Sequence, residues 1–76
     1  MENISKYSFK QIIITLIGKN SHFTSDCEFF PNFNVYGKVL SYYIKNNELV
    51  LKVKTKPSGK IIDIGSNMKN LKFEII

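Results

Sequence analysis

The side chains able to do covalent or metal chemistry are few, and most sit in one short stretch: Ser21, His22, Asp26, Cys27 and Glu28. A Cys/His pair is the usual basis of a nucleophilic thiol, with the imidazole acting as base. That chemistry needs a fixed geometry, and the surrounding residues offer neither a Gly-rich phosphate loop nor ligands at metal-binding spacing. The chain has a single histidine and a single cysteine, short of the four ligands of a structural zinc centre. His22 therefore reads as a surface residue and Cys27 as a small buried apolar side chain. No catalytic residue, metal or cofactor is expected, and the protein is expected not to be an enzyme.

The lysines carry a sharper signal. Net charge is +5, yet residues 1–37 balance Lys6, Lys10 and Lys19 against Glu2, Asp26 and Glu28. The whole excess lies in residues 38–76, where Lys38, Lys45, Lys52, Lys54, Lys56, Lys60, Lys69 and Lys72 face only Glu48, Asp63 and Glu74. Lys52, Lys54 and Lys56 alternate, so on a strand they share one face at intervals of about 6.6 to 6.8 Å. Such a row can follow a phosphate backbone, with Tyr43 nearby as a stacking surface and Lys38 and Lys45 near the strand ends. The opposing consideration is that alternating lysines also keep a solvated strand from pairing edge to edge. The chain has no arginine, which weakens the nucleic-acid reading because arginine makes the bidentate phosphate contacts.

The element that must position these lysines is residues 35–65, which read as three consecutive strands. If Asn46-Asn47 is a two-residue type I′ loop, Lys45 faces Glu48, and Ile44, Tyr42 and Leu40 oppose Leu49, Leu51 and Val53. Those six side chains form the expected core face. The other face then collects Tyr43 opposite Val50, Ser41 opposite Lys52, and Val39 opposite Lys54. Lys56-Pro57-Ser58-Gly59 suits a type I turn in a four-residue loop. That loop pairs Val53 with Ile62, Leu51 with Ile64 and Lys52 with Asp63. Both turns agree on the core face.

Elsewhere the pattern is less regular. Residues 5–18 fit a strand by the β-branched run Ile12-Ile13-Ile14-Thr15, or a helix by the spacing of Phe9, Ile12, Ile13 and Leu16, with Ser5 as N-cap and Gly18 past the end. Strand is the favoured reading and helix the alternative. Residues 19–34 are rich in turn formers but hold four phenylalanines, so a short strand around Phe23 to Phe29, or an ordered cover over one barrel mouth, is expected, with Pro31 ending whatever precedes it. Residues 71–76 alternate as a strand with Leu71, Phe73 and Ile75 inward.

A chain of 76 residues without alanine, and rich in β-branched types, is expected to be one all-β domain spanning residues 1–76. The architecture expected is a small five-stranded, strongly bent sheet or barrel, SH3-like or OB-like in strand count and length. The longest apolar run, from Ile12 to Ile17, is too short to span a bilayer, and a cytoplasmic protein is expected. The function expected is a non-enzymatic binding module contacting nucleic-acid backbone through Lys52, Lys54, Lys56, Tyr43, Lys45 and Lys38. The alternative is a protein-interaction domain, with homo-oligomerisation open to it. It would use an outward apolar patch of Val39, Tyr43, Val50 and Ile61, or the C-terminal strand.

Overall fold

The computed structural model describes residues 1–30 and 32–76, so the expectation about Pro31 lies outside the described residues. Six strands form one antiparallel sheet: β1 (Glu2–Asn3), β2 (Asn20–Ser25), β3 (Phe33–Lys45), β4 (Glu48–Thr55), β5 (Ile61–Gly65) and β6 (Lys72–Ile75). Their order is β1-β6-β2-β3-β4-β5. The sheet is open, not a closed barrel, and has six strands where the sequence pattern suggests five. No helix among the described residues is long and apolar enough to cross a membrane.

Residues 5–18 are not the favoured strand. A 3-10 turn (Ile4–Lys6) leads into helix α1 (Phe9–Leu16). The cap is Ser8, not Ser5. Its hydroxyl accepts from the backbone N–H of Gln11, while the Gln11 side chain accepts from the N–H of Ser8, which satisfies two end donors at once. Gly18 follows the helix at φ +81°, a conformation that an L side chain resists. The helix survives its β-branched run because Ile12 and Leu16, four residues apart, are both buried against the sheet.

The meander keeps the register that its turns imply near the loops. Asn46 and Asn47 both have positive φ, and Lys45, Ile44, Tyr43 and Tyr42 oppose Glu48, Leu49, Val50 and Leu51. On the other side Lys52, Val53 and Leu51 oppose Asp63, Ile62 and Ile64. The loop between β4 and β5, residues 56–60, has a cis Lys56–Pro57 peptide where a trans type I turn is expected. Leu49, Leu51, Val53 and Ile64 are buried in one cluster with Phe23, Phe73, Leu71 and the helix residues.

The register fails at Leu40. A bulge there makes Val39 oppose Val53, and Lys38 oppose Lys54. One extra residue turns every side chain before it to the opposite face. Val39 is thus fully buried in the core, and Leu40 is exposed. Tyr42 and Ile44 stay on the core side of the strand yet are 46% and 57% exposed, because β2 accompanies β3 only from Phe33 to Lys38. Past Val39, which bonds to Gly18 and Lys19, no strand among the described residues flanks β3 on the β2 side. Gly37, where β3 is held by β2 and β4 together, has no room for a side chain: a Cβ would lie 2.5 Å from the carbonyl oxygen of Lys54.

Strand β6 lies between β1 and β2, so both of its edges are used within the chain. Leu71 and Phe73 are buried as their alternation suggests, whereas Ile75 is exposed.

Candidate nucleic-acid interface

The face of the sheet opposite the core is built in rows across the strands. One row runs Asn20, Lys38, Lys54, Ile61, and the next runs Glu74, His22, Tyr36. Lys56 closes the second row, since its N–H donates to the carbonyl of Tyr36 at 2.8 Å. Two further positions carry Ser41, Lys52 and Asp63, then Tyr43 and Val50.

Lys38, Lys54 and Lys56 are brought together. With Asn20, Thr55, Pro57 and Gly59 they line a concavity of about 480 Å³. Like charges placed directly opposite on neighbouring strands repel, with Cβ atoms about 4.5 to 5.5 Å apart. No carboxylate among the described residues comes within salt-bridge distance of these three ammonium groups. The concavity is a cationic recess with nothing in the described chain to neutralise it.

Lys52 and Lys45 do not join it. Lys52 donates to Asp63 at 3.4 Å and lies 5.4 Å from the centre of the Tyr43 ring. The Tyr43 hydroxyl donates to the other oxygen of Asp63 at 2.9 Å. That bond, then partial burial and the charges of Asp63 and Glu48, raises the Tyr43 pKa above the ordinary phenol value. Lys45 borders a separate concavity of about 340 Å³ with Tyr43, Glu48, Val50, Asp63, Cys27, Phe30 and Met68. Tyr43 is thus occupied from two sides.

The apolar patch of Val39, Tyr43, Val50 and Ile61 does not form. Val39 has turned into the core through the bulge, and Val50 is buried beside Phe30 and Met68. Ile61 alone of the four is well exposed.

His22 is not a free surface residue. Its ring stacks on Tyr36 with centroids 4.0 Å apart and planes 3° from parallel. Nδ1 donates to Glu74 at 3.2 Å, and the Asn34 side-chain amide closes on Nε2. Cys27 is half-buried beyond the end of β2. Among the described residues no three His, Cys, Asp or Glu side chains gather as metal ligands would.

Tyr36 is the residue on this face that sequence reasoning missed. Without the bulge it and Lys38 fall on the core side; with it, both stand outward beside Lys54 and Lys56. The available signal was the alternation Tyr36, Lys38 two residues apart, hidden by the register slip. No protein-family model, curated protein or solved structure matches the chain.

Proposed function

We propose that the protein is a small non-enzymatic binding module whose recess of Lys38, Lys54 and Lys56 holds the phosphate backbone of a nucleic acid. The observation that carries this reading is the direct cross-strand apposition of Lys38 and Lys54, with Lys56 beside them and no carboxylate in reach among the described residues. A lysine row that served only to keep a strand solvated would gain from interspersed acids, as Lys52 does from Asp63. A backbone phosphate relieves the repulsion and releases its own counterions as it binds. The contact carries little sequence preference, because phosphates are common to all sequences.

The test is the triple substitution K38Q/K54Q/K56Q in the full chain, with affinity for single-stranded and duplex oligonucleotides measured over a range of salt. The slope of log K against log salt becomes shallower by about 2 to 3 units, at roughly 0.7 to 0.9 per phosphate contact. The variant folds at least as stably as the parent, since the change removes repulsion on an exposed face. A parent protein that binds no nucleic acid at low salt ends the proposal. A protein-binding reading keeps one observation in its favour, the open edge of β3 beyond Leu40, and predicts affinity that salt scarcely changes.

A further inference from the structure

We infer that the nucleic acid taken by this face is single-stranded, with one base stacked on Tyr36 and the neighbouring phosphates held by Lys38, Lys54 and Lys56. This rests on the reading of the recess as a backbone site and adds to it the class of ligand. Tyr36 is 47% exposed although one face of its ring is covered by the parallel imidazole of His22. Among the described residues no second ring and no lysine ammonium is stacked on its other face. His22 is itself held at both ring nitrogens, by Glu74 and Asn34, so the ring behind Tyr36 is fixed in place before any ligand arrives. A platform ordered in advance loses little side-chain freedom when a base settles on it.

Position supports the assignment as much as rigidity. Tyr36 and Lys38 are two residues apart on the same face of β3, about 6.6 to 6.8 Å along the strand. Lys56 is joined to Tyr36 through the backbone, and Lys54 lies opposite Lys38. An aromatic ring is therefore set in a square with three cations. Duplex DNA keeps its bases stacked on one another and offers such a ring only phosphate and sugar, whereas an unpaired base has a free face. Tyr43, the other tyrosine on this face, is held by Asp63 with Lys52 close to its ring.

The experiment measures binding of labelled oligothymidylate, a duplex of equal length, and heparin, a polyanion without bases, to the full chain at low salt. The parent binds oligothymidylate more tightly than the duplex. Tyr36→Leu weakens oligothymidylate binding about 5- to 150-fold, the equivalent of one lost base stack, and leaves duplex and heparin binding unchanged. Tyr43→Leu leaves all three unchanged. In the unsubstituted protein, the ring resonances of Tyr36 move on saturation with oligothymidylate and stay in place with heparin, a readout that holds even where Tyr36→Leu does not fold. Equal affinity for single strand and duplex, or Tyr36 resonances that do not move, overturns the single-strand assignment and leaves the backbone site standing. Absence of binding to all three ligands overturns both.

Discussion

At Tyr43 a phenol, a carboxylate and an ammonium meet, and together they leave little net charge on that part of the face. Asp63 accepts from both Tyr43 and Lys52, each through a different oxygen. The raised pKa of Tyr43 comes first from that hydrogen bond, because ionising the phenol removes the donor and sets a second anion beside Asp63. A phenol whose pKa is higher folded than unfolded stabilises the fold fully below the ordinary value near 10, and the contribution is lost as pH rises through the folded-state value. Asp63→Asn therefore lowers the pKa of Tyr43 toward the ordinary value, read from tyrosinate absorbance or from the ring carbon shifts of labelled tyrosine. The same substitution lowers stability near neutral pH and flattens the part of its decline above the ordinary phenol value that comes from Tyr43. A Tyr43 titration that does not shift shows that the hydrogen bond is absent in solution.

The elements differ in how openly the sequence displayed them. The Asn46-Asn47 turn and the place of the Pro-Ser-Gly loop, though not its cis peptide, were legible because turn signals are local, and from them followed the burial of Leu49, Leu51, Val53 and Ile64. The bulge at Leu40 was not legible, because its cause is not local. Val39 is held from the far side by the segment leaving the helix: Gly18 N–H donates to its carbonyl at 2.7 Å, and its own N–H donates to Lys19 at 3.0 Å. Those bonds fix Val39 facing the core while the Asn46-Asn47 loop fixes Tyr42, and the odd residue between them has to be accommodated at Leu40 or Ser41. Helix α1 was half legible: the spacing of Phe9, Ile12, Ile13 and Leu16 fits it, but the isoleucine run argues more strongly for a strand, and the cap is Ser8 where Ser5 is expected. The outward side of Lys54 follows from the two turns alone, whereas that of Tyr36 and Lys38 depends on the bulge.

The same strand gives a test of its free edge. The two-residue loop makes Lys45 and Tyr43 the residues that exchange hydrogen bonds with β4, so the N–H of Ile44 points away from it toward the open side. Tyr43→Pro removes a ladder bond, at a cost of about 1 to 3 kcal/mol, while Ile44→Pro removes none. Denaturant midpoints for the two variants separate accordingly, with Tyr43→Pro the less stable. Equal losses would mean that the edge is occupied.

At the scale of the whole molecule, the position of β6 sets the order in which the chain can become ordered. Pairing Glu2 with Phe73 joins parts of the chain separated by nearly its full length, whereas β3, β4 and β5 are joined by loops of two and five residues. Closing a long loop before its contacts form is entropically unfavourable, so the meander assembles first, and the slot between β1 and β2 fills last. The consequence is kinetic. Leu51→Ala, which empties the centre of the meander, destabilises by about 2 to 5 kcal/mol and appears mainly as slower folding. Phe73→Ala, buried in the last strand to dock, appears mainly as faster unfolding, and a pair of chevron plots distinguishes the two. Because β1 pairs with β6 and with no other strand among the described residues, each opening of β6 also frees the first strand, so amide exchange at Asn3 follows that at Phe73 while the lysine-bearing strands remain protected.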